Sequence, residues 1–423
     1  MPRHPRRGRE GAVMCPSYQV TGDEKHSTRG RARVLFEMLR GDVIRDRWRS
    51  TAVRDALDLC LACKGCKSDC PVDVDMATYK AEFLSHHYAG RVRPRTHYTL
   101  GWLPLVARAA ALAPGLVNVA TQTPGLRRLV QAVGGVTTER ELPLFAAERF
   151  THWYRERGPR GDGRRGEVLL WPDTFTEFFH PAIGRAAVTV LEDAGFRVRL
   201  PEQGALLRAH LDLHRPAGRG LPGAAAHGAG ARPRGAGRGA GRRAGAQLHR
   251  GVPGRRTRAP AGGRRRPPLA ESTRTLAELL TERAPDWAPP RAERTAMVQT
   301  HCHQHAIMGF DADRELLGRA GFDADVLDSG CCGLAGNFGF EPGHHEVSMA
   351  CGEQVLLPAV RDGDPRSVVL ADGFSCRTQI EQGDTGRRAV HTAEALAGLV
   401  EGARLGEHPE QLLAGRPRPP GRI

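Results

Sequence analysis

Aromatic residues are scarce in this chain, only 5% of 423 residues, and no glycine fingerprint for a flavin or a nicotinamide is present. The basic N-terminus MPRHPRRGREGAV has no apolar core of the kind a secretory signal requires. No apolar run is unbroken over a membrane's width. The most apolar stretch, Leu100 to Val119, is interrupted by Pro104, Arg108 and Pro114. With ten cysteines and no export signal, the reading is a cytoplasmic protein whose thiols serve metals and not disulfides. The same absences leave a peripheral place at a membrane open. At 40% hydrophobic residues the chain can still build cores, and its length suits two or three domains.

Acidic residues are also missing from one long tract. Between Gly204 and Pro268 there are fifteen arginines, no lysine and one acid, Asp212, so this tract carries nearly all of the net charge of +15. A nucleic-acid footprint would spread over a folded face and interleave aromatic rings for stacking. An arginine-rich nucleic-acid-binding protein is therefore the less favoured alternative, and no specific nucleic acid is expected as a partner. The tract has no apolar periodicity and reads as a disordered insertion.

What the chain does have is CLACKGCKSDCP, residues 60–71. Four thiols two, two and three residues apart, closed by proline, form the run that binds a [4Fe-4S] cluster, three thiols going to one cluster and the fourth to a neighbour. Lys64, Gly65 and Lys67 suit the gaps, glycine allowing close backbone approach and the lysines offsetting cluster charge. Upstream, Cys15 is also followed by proline. By the crossed rule of two-cluster ferredoxins, Cys15 completes the cluster held by Cys60, Cys63 and Cys66, while Cys70 belongs to a second cluster. Residues 1–14 hold no cysteine, so that second cluster lacks its other thiols here. A zinc knuckle is the alternative, although zinc sites usually draw cysteines as separated pairs.

Farther on, EVLLWPDTF, HPAIGRAAVTVLEDAG and FRVRLP read as strand, helix opened by Pro181, and strand. After the arginine tract, STRTLAELLTERA reads as a helix capped by Ser272. TAMVQT, DADVLDS and RSVVLADG read as strands, with helices between them and one helix over HHEVSMACGEQVLLPAVRDG. The expectation is a mainly parallel α/β sheet. Cys302 follows the first of these strands, Cys331 and Cys332 the second, and Cys376 the third. Carboxyl ends of parallel strands converge on one crevice, so four thiols should meet there. Adjacent cysteines cannot both point one way from a strand, and Gly330 and Gly333 permit the irregular turn they need. His301, His303 and His305 stand nearby as nitrogen ligands or proton carriers, and His305 joins the four thiols in the expected metal set. Cys351, within a helix beside Met349, reads as packing.

CPSYQVTGDEKHSTRGRAR, the run at Cys60 and VDMATYKAEFLSHHY resemble the iron–sulfur region of FAD-linked oxidases of the D-lactate dehydrogenase and glycolate oxidase type. The later half, with CCGLAGNFGF, resembles their cysteine-rich CCG domain. The resemblance implies an α-helical ferredoxin-like domain (1–95), a partial first CCG domain (161–203) and a second CCG domain (269–400); residue pattern and composition add a helical linking segment (96–160), the disordered arginine tract (204–268) and a tail (401–423). It implies a [4Fe-4S] cluster, a second iron–sulfur centre or zinc at the CCG site, and FAD only on a missing domain or a partner. The function implied is electron transfer from a flavoprotein to a quinone or other acceptor, in a 2-hydroxyacid dehydrogenase system. A zinc-binding scaffold is the other class implied. The chain departs from the pattern at Gly373, where the closing C-x2-C should have its first cysteine. It also departs across residues 204–268. Written in GC-rich codons and read one base on, ALLRAHLDLHRPAG becomes RCCARTWISTGQL, and AQLHRGVPGR becomes EPSCTAVFR. The expectation is that this tract is translated out of frame.

Overall fold

The computed structural model describes residues 14–201 and 272–413, and the backbone of 244–247 between them. The first unit is helical. Ser27 caps the helix Thr28–Arg40, its hydroxyl accepting from the Gly30 N–H at 2.9 Å. Asp75 caps Met76–His87 in the same manner, through the Thr78 N–H at 3.1 Å. With Thr51–Asp58 these helices bury Met38, Val53, Leu57, Met76 and Phe83, and the thiols of Cys60 and Cys66 join that core. Four further helices follow, Arg95–Thr99, Leu103–Ala110, Pro114–Gln122 and Pro124–Gly134, and prolines open the last two at positions where no N–H is needed. Leu112, Leu116, Leu129 and Val133 in this segment face outward. Among the described residues no single helix is long and apolar enough to cross a membrane. Leu103–Ala110 and Pro114–Gln122 reach that length and composition only together, and bend by 112°.

Two parallel sheets follow. The first has the order β2-β1-β3-β4, with β1 Glu167–Trp171, β2 Arg197–Arg199, β3 Ala244–Gln247 and β4 Thr273–Thr275. The second has the order β6-β5-β7, with β5 Arg294–Val298, β6 Phe322–Val326 and β7 Val368–Leu370. The strand–helix–strand expectation over 167–199 holds, as do the three later strands. Three details differ. First, β3 lies inside the arginine tract, pairing Leu169 with Gly245 on one side and Ala246 with Arg274 on the other. Its sequence, AGAQ, has no strand-forming side chains, and parallel pairing needs only its backbone amides and carbonyls. The rest of the tract, including the out-of-frame reading, lies outside the described residues. Second, Thr273–Thr275 is a strand, so the helix begins at Leu276 with Thr275 as cap. Thr275 and Glu278 satisfy each other's backbone N–H groups reciprocally. Third, the long helix expected after His344 is two, His345–Gly352 and Leu356–Asp362.

The two sheets share one core. The helix Pro181–Asp193 packs on Thr392–Val400, so Val188, Val190 and Leu191 are buried with Ala393, Leu396 and Leu399. The first sheet's helix layer thereby covers its apolar face on that of the second.

Candidate metal centres

The loop Cys60–Lys64 has no regular structure, and Ala62 and Lys64 adopt left-handed angles, φ 52° and 62°. Alternating such residues with ordinary ones turns successive N–H groups toward one point, a nest for an anionic group. Gly65, expected to supply the close approach, instead opens the short helix Gly65–Asp69, and its N–H points to the Cys63 sulfur. Cys15, also left-handed at φ 55°, caps Pro16–Thr21. Its Sγ accepts from the Thr28 N–H at 2.9 Å and lies 2.7 Å from the Thr28 hydroxyl. Cys66 Sγ accepts from the Met76 N–H at 3.4 Å. Cys15, Cys60, Cys63 and Cys66 line one cavity, together with Arg31 and Met76. Cys70 does not line it: half-buried, it ends the helix Gly65–Asp69.

The thiols of that cavity suit a positively charged iron core, while the surrounding N–H groups suit the net anionic cluster that the core and thiolates make together. Burial pushes the Cys66 thiol up to about 12, and the charges of Cys63, Cys60 and Cys15 add to the rise. Burial raises Cys15 as well. Four crowded thiols become thiolates together only when iron replaces their protons, so the donor set fits a [4Fe-4S] cluster. Of the two lysines, Lys64 lines the cavity, and both are also paired with Asp75. Lys64 Nζ is 2.8 Å from Asp75, and Lys67 reaches the same carboxylate at 4.0 Å. Arg31, which sequence reasoning missed, is the buried cation at the cavity. Its Nε donates to the Ala56 carbonyl at 3.0 Å, another of its nitrogens to the Ser17 hydroxyl at 2.9 Å, and its charge favours the Cys15 thiolate.

The second set stands at the carboxyl ends of β5, β6 and β7. Cys302, Cys331, Cys332 and Cys376 are all buried. Gly333 makes the expected turn, with φ 89° and no room for a side chain, since a Cβ there would lie 2.0 Å from the Ser348 carbonyl oxygen. The adjacent thiols touch each other but have different further partners. Cys331 meets Cys302 and Cys63, whereas Cys332 meets Cys376, and the two also meet each other. The thiols thus form a string across the domain boundary, and among the described residues no three of them lie within 4.8 Å of one another. Contacts with Cys331 and Cys376 hold the Cys332 thiol well below its ordinary value, helped by the Leu334 and Ala335 N–H groups. Cys351 is apart, pushed up to about 12 by burial.

The histidines take other places than expected. His305 Nε2 is 3.2 Å from Asp69 Oδ1, so it docks the second domain on the ferredoxin-like unit instead of joining the thiols. His303 Nε2 lies 3.3 Å from the Ala62 carbonyl, and His344 Nε2 2.9 Å from Asp58. Imidazoles can serve at either station, and only the approach of the two domains decides between them. Arg140, from the linking segment, is a second cation that sequence reasoning missed. It is 1% exposed and donates to Gln379 Oε1 at 2.7 Å and Ser348 Oγ at 2.9 Å. Burial pushes it down to about 10, and the nearest opposing charges are Cys332 and Glu139. No local pattern marks such a residue, because its partners are more than 200 positions away.

Residues 10–74, which hold Cys15 and the Cys60 run, match the 4Fe-4S dicluster domain. The chain therefore carries an iron–sulfur domain, and its relatives bear out the resemblance to FAD-linked oxidases. It is 25% identical over 448 residues to a D-2-hydroxyglutarate dehydrogenase of Pseudomonas putida, covering 91% of this chain and 41% of that protein. It is 25% identical over 317 residues to one of the subunits of the anaerobic glycerol-3-phosphate dehydrogenase of Escherichia coli, covering 71% of this chain and 76% of that one. A 62-residue stretch is 34% identical to the glycolate oxidase iron-sulfur subunit of the same organism, 15% of this chain and 14% of that one. The chain thus spans about 41% of the length of the first of these relatives. No solved structure matches it.

Proposed function

We propose that the chain is the electron-transfer part of a flavin-linked dehydrogenase for a 2-hydroxy acid, working with a flavoprotein domain or subunit and passing electrons to a quinone or another carrier. The observation that carries this reading is the meeting of Cys63 and Cys331. One thiol belongs to the cavity of the first set and the other to the string of the second, so the two sets have no intervening layer of protein. An iron–sulfur cluster held by Cys15, Cys60, Cys63 and Cys66 supplies single-electron storage. The chain's own residues exclude water with Leu61 and Phe338, hold the thiols by N–H donation, and balance charge with Arg31. Cys70 stands outside the cavity and is available to a cluster completed elsewhere.

The relatives support a flavoprotein partner, since their names are those of dehydrogenases and of an oxidase's iron–sulfur subunit. A cytoplasmic location, with a peripheral place at a membrane, is part of the same reading. The test is rapid mixing of the anaerobically reconstituted chain with a photoreduced flavin, followed by a water-soluble quinone. Reduction of the iron–sulfur absorbance by flavin and its return on quinone addition are expected. The chain alone should not oxidise D-lactate, glycolate or D-2-hydroxyglutarate with a dye. Substrate-dependent dye reduction by the chain alone, or iron–sulfur absorbance that reduced flavin leaves unchanged, would overturn the proposal.

A further inference from the structure

Between Glu82 and Glu139 the chain has six arginines and no acidic residue. The helices in this stretch are turned inside out. Along Pro124–Gly134, Leu126, Leu129, Val130 and Val133 recur three and four positions apart and all face outward, Leu129 being 61% exposed. Gln131 points inward instead. Wholly buried, it donates through Nε2 to the Thr137 carbonyl at 2.9 Å and to the Arg140 carbonyl at 2.7 Å.

The helix packed beside it, Pro114–Gln122, repeats the arrangement. Asn118 faces the body of the protein, donating to the Phe145 carbonyl at 2.8 Å and accepting from the Phe145 N–H at 2.9 Å. Gln122 donates to the Leu142 carbonyl at 3.1 Å. Leu116 and Val119 face out, Leu116 being 73% exposed, and so does Leu112 just before the helix. A helix resting on a water-soluble core does the reverse, burying its apolar stripe and wetting its polar face. Here hydrogen bonds hold the helices to the protein while the aliphatic side chains are presented to the outside. Leu103–Ala110 adds exposed Leu105 and Val106, and exposed Tyr98 and Trp102 precede it, rings that suit the boundary between water and acyl chains.

We infer that residues 98–133 form a docking surface for an anionic lipid bilayer, on which these helices lie with their leucines and valines in the acyl boundary. An aliphatic face in a segment whose charges are all positive matches hydrocarbon beneath anionic headgroups. The bend of 112° between Leu103–Ala110 and Pro114–Gln122 lets both helices lie along such a surface without crossing it. This gives the peripheral place in the proposed function its surface, and rests on that reading for its purpose, the delivery of electrons to a carrier in the lipid.

The test floats the full-length, anaerobically reconstituted chain with vesicles of phosphatidylcholine and phosphatidylglycerol, and reads hydrogen exchange with and without them. Flotation with new amide protection across 103–133 is expected. Leu116→Asp/Leu129→Asp should lower partition into the vesicles by at least about tenfold, because two leucines leave the acyl boundary and two repelled charges arrive. Leu39→Asp/Val43→Asp, a matching change at exposed side chains outside the segment, should leave partition unchanged. The arginine tract can draw the chain to anionic lipid by charge alone, so the place of protection decides. Flotation without protection of 103–133 would overturn the inference, as would equal partition by Leu116→Asp/Leu129→Asp. Protection of the same residues that grows with protein concentration in the absence of lipid would also overturn it, marking a face between copies. Reduction of the iron–sulfur absorbance by flavin in solution tests the electron-transfer reading separately. The Leu116→Asp/Leu129→Asp variant should leave that reduction unchanged, and its failure in the wild-type chain would remove the purpose of the surface but not the surface.

Discussion

The two thiol sets are built in opposite ways. Three of the four cavity thiols come from seven consecutive residues, and their loop is shaped by two left-handed residues and one short helix. The second set draws one or two residues from each of three strand ends, separated by dozens of positions. A contiguous loop keeps its geometry through local turns, so its chemistry can be recognised by spacing alone. A dispersed site exists only once the sheet order β6-β5-β7 has formed. Measurements that separate the two sets test this contrast directly.

Cluster loss should be the largest effect. Cys63→Ser, and equally Cys15→Ser, should abolish iron binding at the first site after anaerobic reconstitution, whereas Cys70→Ser should retain it. Iron content per chain and the visible absorbance of the iron–sulfur cluster decide the matter. Loss with Cys70→Ser and retention with Cys15→Ser would reverse the ligand assignment.

Removing a buried cation beside the second set should come next. Arg140→Leu strands the acceptors Gln379 and Ser348 and removes one of two buried arginines near the thiols, Arg377 beside Cys376 being the other. A stability loss of about 2 kcal/mol or more is expected in denaturant unfolding. Metal bound at Cys332 should also be harder to reduce. If only stability changes, and the potential does not, Arg140 is a packing residue and not a charge partner.

Glu394 offers a pH-dependent effect away from both sets. Burial pushes its carboxyl up to about 7, above its unfolded value. The folded state therefore holds a proton that the unfolded state has released, and stability falls as pH rises from near 4.5 to 7, then levels off. Glu394→Gln keeps an oxygen to accept the His391 N–H and removes the titration. It should flatten that slope and stabilise the protein at pH 8 by up to about 3 kcal/mol. An unchanged slope would place the titration elsewhere.

The smallest effect concerns the seam between the two sets. His305→Ala removes a single partly exposed contact to Asp69, worth roughly 1 kcal/mol or less. It should leave metal content unchanged while increasing hydrogen exchange around Asp69 and Cys70. Loss of metal from the second set would restore His305 to the ligand role that its sequence position suggested.

Along the chain, strands were missed or shifted for one physical reason: backbone pairing does not require a side-chain pattern. The four residues of β3 are small or polar, yet β1 and β4 present open edges on either side. Thr273–Thr275 likewise joins that sheet, which moves the helix cap from Ser272 to Thr275. The helix Pro181–Asp193 was legible because its apolar period and opening proline are local. Its partner, Thr392–Val400, was not.

By itself the sequence determined the cluster run, because ligand spacing in a tight loop is a property of consecutive residues. It also determined the parallel α/β alternation and the gathering of Cys302, Cys331, Cys332 and Cys376 at strand ends, since connection rules leave few other arrangements. Tertiary structure alone decided that Cys63 meets Cys331, that Arg31 and Arg140 are buried near the thiols, and that His305 docks on Asp69 while the ring of His301 stands beside Gly373. Each of these depends on how two separately folded surfaces approach. A side chain's ionic and hydrogen-bonding partners across such a boundary are set by distance in space, for which distance along the chain offers no substitute.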